Sequence, residues 1–179
     1  DFNEYFRALA LAAKNLPDLA SLNDFFTEPE QQSYIYQTYL MISNLQVMEK
    51  RYAQANQVMN QFIKTYPDAT EVPDALLQTI TILRISEQVE QYTVAMESFY
   101  QSYNLESPFW NSRKATASYQ HVKDSMRDNI LLVADAQQNA YRRTKQASNL
   151  AQAEKWYKRY LSHYSVHARQ DKVYIAYGE

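Results

Sequence analysis

Bulky apolar residues recur along this chain at three- and four-residue intervals, the spacing that gathers side chains on one side of an α-helix. Phe2, Tyr5, Phe6, Leu9, Ala12 and Ala13 predict a first helix over about 2–15. Pro17 opens a short second element holding Leu19, Leu22, Phe25 and Phe26. Thr27, Pro29 and Glu30 read as a capping box: a hydroxyl cap, an early proline and a glutamate three positions after the cap. The helix it opens carries Tyr36, Tyr39, Leu40, Ile42, Val47 and Met48 and ends near Lys50 and Arg51. Another runs from Tyr52 to Tyr66 and stops at Pro67.

Farther on, Thr70 is expected to cap a helix that tolerates Pro73 in its first turn and packs through Leu76, Leu77, Ile80, Ile82 and Leu83. Val89 to Tyr103 predicts the next helix, and Ser107-Pro108 restarts the chain with Phe109 and Trp110 as anchors. No proline or glycine interrupts the stretch from there to Gln146, which predicts helices near 108–122 and 124–146, separate or fused into one. Ser148-Asn149 reads as a turn, followed by helices over 150–164 and 167–178.

One phrase occurs twice. Tyr52, Ala55, Met59, Phe62, Ile63, Tyr66 and Pro67 are matched in order and spacing by Leu150, Ala153, Tyr157, Tyr160, Leu161, Tyr164 and Ser165. A weaker copy runs through Tyr92, Ala95, Phe99 and Tyr103 to Pro108. A small alanine with an aromatic or large residue four positions later suits a helix packed closely on its neighbour, and recurrence of that unit marks a helical repeat array.

The interval from Ala55 to Pro67, with Tyr39 and Ile42 as bulky residues of the preceding helix, resembles the tetratricopeptide repeat (TPR), a helix-turn-helix unit of 34 residues. Phe62–Pro67 and Ala153–Leu161 are similar to repeats of bacterial envelope proteins, among them the outer-membrane assembly lipoprotein and the periplasmic Tol–Pal coordinator. The resemblance covers about 34–107 and 124–179. It implies an all-α, TPR-like α–α superhelix, a solenoid of antiparallel helix pairs with divergent repeats. It also implies one repeat domain over 1–179, with N-terminal helices within 2–26, units near 34–67, 74–107 and 124–165, and a last helix at 167–178. The anchoring alanines lie 40 and 58 residues apart, not 34. Ser43, Leu83 and Tyr141 stand where the family's first helix usually has glycine, and Ser165 replaces the terminating proline.

Composition narrows the function classes. The chain has 179 residues with one glycine, Gly178, five prolines and no cysteine. Near-absence of glycine favours helices on short connections over sheets and excludes a Gly-rich phosphate loop. Absence of cysteine excludes disulfides, thiol catalysis and cysteine zinc sites, and fits either the cytoplasm or a bacterial envelope. No run approaches the roughly 18 apolar residues of a membrane span. The start at Asp1 and the stop just after Tyr177 suggest a piece of something larger, although Gly178 also suits a helix stop.

Charge is uneven. Residues 1–90 carry 6 Lys/Arg and 12 Asp/Glu, net −6; residues 91–179 carry 12 and 8, net +4. Within 113–172 the net is +7, from 12 against 5. Such ends could associate with each other or dock an acidic partner, or could be ordinary solvated helix surface. With a negative total and no binding motif interleaving basic and aromatic residues, nucleic acid is a poor partner.

Catalytic, metal and cofactor sites are not expected. His163 and His167 would share a helix face only if the helix continued past Ser165-Val166, and His121 is isolated. Glu87 and Glu90 have the spacing of a wetted surface. Sixteen tyrosines suit either a glycan or peptide groove or wedges between helices; Tyr52, Tyr92, Tyr157 and Tyr160 fall at packing positions. Eleven residues before the three alanines stand Asn44, Arg84 and Arg142. The resemblance places them on the concave groove, where Asn44, Arg84, Glu87, Gln88, Gln138, Arg142 and Lys145 would grip a partner peptide or helix. The alternative for the same residues is a plain solvated helix face. The expected function is a non-catalytic protein–protein interaction scaffold in a bacterial envelope complex, at the periplasmic or inner outer-membrane face, with a cytoplasmic home as the alternative. The competing class is an α-superhelical accessory domain of a peptidoglycan-associated enzyme, or a glycan-binding module, using exposed tyrosines.

Overall fold

The computed structural model of the chain describes residues 2–13, 19, 22, 26 and 34–164. Among these residues there are seven α-helices and no strand: α1 (Phe2–Ala13), α2 (Ile35–Met48), α3 (Tyr52–Thr65), α4 (Val72–Ile85), α5 (Val89–Tyr103), α6 (Ala117–Thr144) and α7 (Ala147–His163). The architecture is all-α. The chain divides into two compact units, Asp1–Ala95 and Met96–Glu179, with α5 crossing the division. The capping box of Thr27–Glu30 and the helix expected over 167–178 lie outside the described residues.

In the first unit α1 packs on α2, α2 on α3, and α3 on α4. Among the residues of α1 whose burial is described, Ala10 and Ala13 are buried and Ala12 is exposed. Leu19, Leu22 and Phe26 are buried. α2 buries Ile35, Thr38, Tyr39, Ile42, Ser43 and Gln46, while Met48 at its end is exposed. The small Ser43 lets α3 approach: its hydroxyl donates to the Ala55 carbonyl at 3.2 Å, and both residues are fully buried. α3 presents Ala55, Val58, Met59 and Phe62, the i, i+3, i+4, i+7 stripe of a core-facing helix. Phe62 meets the rings of Tyr36, Tyr39 and Tyr66 with centroids 5.3–5.6 Å apart. α4 starts one residue after Glu71, so the cap position falls on Glu71 and not on Thr70; Pro73 does sit in the first turn.

In the second unit the stretches expected near 108–122 and 124–146, separate or fused, form a 3₁₀ turn (Pro108–Trp110) and one fused 28-residue helix, α6. The Thr116 hydroxyl accepts from Tyr119 N–H at 3.2 Å and so fixes the start at Ala117. From there Val122, Met126, Ile130, Val133 and Ala134 form one unbroken buried stripe, so nothing ends the helix near 124. Trp110 is fully buried, its Nε1 donating to the Tyr103 carbonyl at 3.1 Å. α7 returns antiparallel along α6, burying Ala153, Trp156, Tyr157 and Tyr160. Tyr157 lies against Asp135 and Gln138, and the Tyr164 hydroxyl donates to the Lys123 carbonyl at 3.1 Å. Ser148-Asn149 is inside α7 rather than a turn. The Thr144 hydroxyl captures Gln146 N–H and the Asn149 amide at 3.3 and 3.1 Å, which restarts the helix by Ala147.

Three helices stop on left-handed residues that are not glycine: Lys50 (φ 59°), Glu87 (φ 61°) and Lys145 (φ 56°). After α2, Arg51 N–H donates to Gln46 at 2.8 Å and Lys50 N–H to Val47 at 2.9 Å. After α4, Gln88 N–H donates to Leu83 and Glu87 N–H to Arg84, at 3.0 and 3.1 Å. Both are Schellman stops; Lys145 makes the simpler version, donating to Tyr141 at 2.7 Å. A side chain forced left-handed costs about 1–2 kcal/mol, so each stop is held by the packing of the helices it joins.

Candidate interaction surface

The polar residues singled out from the sequence divide between the two units, and each set is described in its own unit. In the first, Asn44 is exposed on α2, and its Oδ1 accepts from Gln78 Nε2 on α4 at 2.8 Å. The two residues are 34 apart in the chain, and the bond joins α2 to α4. Gln78, not Arg84, is therefore the residue that meets Asn44. The alanine register pointed to Arg84; counting 34 from Asn44 would have found Gln78.

Arg84 is exposed near the end of α4, and its charge is felt at Tyr92. Burial pushes the Tyr92 hydroxyl up to about 12 while Arg84 pulls it the other way. Glu87 is the exposed left-handed stop itself. Gln88 belongs to the same stop: its backbone bonds Leu83, and its side chain donates to the Ser86 hydroxyl at 2.8 Å.

In the second unit Gln138 is buried with its Oε1 2.9 Å from the Tyr157 hydroxyl, which makes it part of the α6–α7 packing. Arg142 is exposed on the last turn of α6, and Lys145 forms the stop with its Nζ 5.5 Å from the Tyr141 ring centroid. Of the seven residues, Glu87, Gln88 and Lys145 shape turns and Gln138 packs helices, whereas Asn44, Arg84 and Arg142 stand on exposed surface.

A denser cluster, which sequence reasoning missed, joins α5 to α7. Arg159 forks onto Glu97 with Nη1–Oε2 at 2.6 Å and Nη2–Oε1 at 2.7 Å. Lys155 Nζ and Gln101 Nε2 each donate to Glu97 Oε1 at 3.1 Å. The Arg159 bonds above all, helped by Lys155 and Gln101 against partial burial, hold the Glu97 carboxyl at about 2 instead of the ordinary 4.5. The guanidinium also stacks 4.2 Å from the Tyr100 centroid and 4.4 Å from that of Trp156. Tyr100 Oη is 2.8 Å from His163 Nε2. With its fork bonded to Glu97 and its guanidinium against two rings, Arg159 ties helices together and is not presented to a ligand. No sequence signal links residues 62 apart in this way.

Every tyrosine whose side chain is described is at least partly covered. Tyr39, Tyr92, Tyr157, Tyr160 and Tyr164 are buried, and Tyr52 is half-buried. Of the anchoring alanines, Ala55 and Ala153 are buried; Ala95 is partly exposed because Met96 takes the buried place beside it. Among the described residues, no group of three or more His, Cys, Asp or Glu could hold a metal ion, and His167 lies outside them. No described helix is long and apolar enough to cross a membrane. Comparison with known proteins adds no neighbour: no family model, no curated protein and no solved structure matches the chain.

Proposed function

We propose that the chain is a non-catalytic protein–protein interaction scaffold of TPR-like helix pairs, binding an extended segment of a partner across the exposed sides of α2 and α4. The observation that carries this reading is the amide pair Asn44–Gln78, 2.8 Å apart on neighbouring first helices and 34 residues apart in the chain. After that bond each amide keeps donor and acceptor capacity, so the pair suits a peptide backbone, whose N–H and C=O groups need both. Arg84, farther along the same helix, adds a forked cation for a carboxylate of the bound segment. A bacterial envelope complex is the setting that the repeat phrases favour. The glycan-binding alternative needs flat tyrosine faces open to solvent, and the partial or full cover of every described tyrosine side chain weighs against it.

Selection from a displayed random-peptide library tests the reading. Peptides enriched on the wild-type protein are expected to lose about tenfold in affinity with Asn44→Ala or Arg84→Ala, a loss of the order of one charged or paired hydrogen bond, without a change in thermal midpoint. Binding indifferent to both substitutions, or pelleting with peptidoglycan that both leave unchanged, would remove the scaffold reading.

A further inference from the structure

The boundary between the two units is also a boundary of charge. Residues 91–95 carry no charge, so the first unit holds 6 Lys/Arg against 12 Asp/Glu and the second 12 against 8, net −6 and +4. Within each unit the excess has a place. The α6–α7 hairpin tip carries Arg142, Arg143 and Lys145, and no carboxylate occurs from Ala136 to Ala153. Residues 142–148 are all exposed, and Leu150 beside them is 41% exposed. In the first unit the α3–α4 turn carries Asp68 and Glu71, followed by the buried Asp74 in the first turn of α4, with no Lys or Arg from Thr65 to Leu83. Asp68 is exposed and Glu71 partly so. Their field reaches the neighbouring helix: after burial, Asp74 and Glu71 are what push the Tyr36 hydroxyl upward.

We infer that a second copy of this chain is a binding partner, with the basic α6–α7 tip of one copy docking on the acidic α3–α4 turn of another. Each tip carries exposed charge of one sign at a helix junction, Arg143 and Lys145 on one and Asp68 with the partly exposed Glu71 on the other, the arrangement that steers association and sets its orientation. The contact is heterologous, so it closes into a ring or extends into a chain of copies. It uses a surface separate from the Asn44–Gln78 pair, and stands or falls independently of the peptide-binding proposal.

Light scattering and sedimentation of the whole chain at about 20 mM and about 500 mM salt test it, with the dissociation constant expected to rise at least about tenfold at high salt, where the screening length is a few Å. Arg143→Glu/Lys145→Glu should abolish association, and so should Asp68→Lys/Glu71→Lys. Mixing the two variants should restore it, because each keeps the surface that the other has lost. Glu87 already occupies a left-handed stop, so glutamate at 145 is compatible with the turn, and far-UV circular dichroism verifies that both variants fold. A monomer at every concentration in low salt would overturn the inference. So would association that persists in high salt or in the variants, which would point instead to the exposed aliphatics Met48, Ile85 and Val89.

Discussion

The α2–α3–α4 layer of the first unit and the α6–α7 hairpin of the second solve the same packing problem with different materials. Both bury an alanine, Ala55 or Ala153, in a helix that packs on its neighbour. The first unit uses three helices of 14 residues, aliphatic side chains and a ring cluster around Phe62. The second uses one helix of 28 residues, two fully buried tryptophans and a charged clamp between Glu97 and Arg159.

This contrast gives the two units separate optical signals. Both tryptophans, Trp110 and Trp156, belong to the second unit, so tryptophan fluorescence follows it alone while far-UV circular dichroism follows every helix. Phe62→Ala removes a fully buried ring of the first unit and should cost about 3–5 kcal/mol. In urea the dichroism should acquire an early transition, with the fluorescence midpoint unmoved. If both signals shift together, the units unfold as one cooperative block and the comparison fails.

What the sequence made legible follows the same contrast. Periodicity located the helices of the first unit because each is bounded by a proline or a polar turn, and the repeat of Ala55, Met59 and Phe62 marked the buried stripe. In the second unit the start of α6 hung on one hydroxyl, Thr116, and its continuity on the lack of any interruption, neither of which differs in the sequence from a pair of shorter helices. Aligning on Ala95 missed the buried position of α5 because Met96, one position and about 100° around the helix, is what packs. For the candidate surface, Asn44 was readable and Gln78 was not, since the alanines do not keep the 34-residue interval that those two do. The clamp was invisible: its charges are ordinary until the fold brings them together.

Removing the clamp should matter less than removing Phe62, and its effect should depend on pH. The Glu97 carboxyl titrates at about 2 when folded against an ordinary 4.5, so its bonds stabilise the fold fully above about pH 4.5 and are lost as the pH falls toward 2. Allowing for solvent at a side chain that is 25% exposed, Glu97→Gln should cost about 1–2 kcal/mol at neutral pH. Followed by fluorescence in urea, the gap between variant and wild type should close between pH 4.5 and 2. A gap that stays constant through that window would mean that Arg159 is held by its two aromatic faces and not by the carboxylate.

The smallest effect concerns the three stops: a lysine and a glutamate, Lys50 and Glu87, in the first unit and a lysine, Lys145, in the second. Replacing a left-handed residue by glycine relieves about 1–2 kcal/mol of strain but returns part of it through the freer unfolded chain. Lys50→Gly should therefore raise stability by about 0.5 kcal/mol. Glu87→Gly should gain more, about 1 kcal/mol, since it also removes a negative charge from the negative end of α4. Lys145→Gly should gain least, because it deletes a cation that suits the end of α6 and lies 5.5 Å from the Tyr141 ring centroid. Urea midpoints of the three variants give the order directly. If Glu87→Gly gained less than Lys50→Gly, the Glu87 carboxylate would have to hold something in the first unit that offsets its poor place at a helix end.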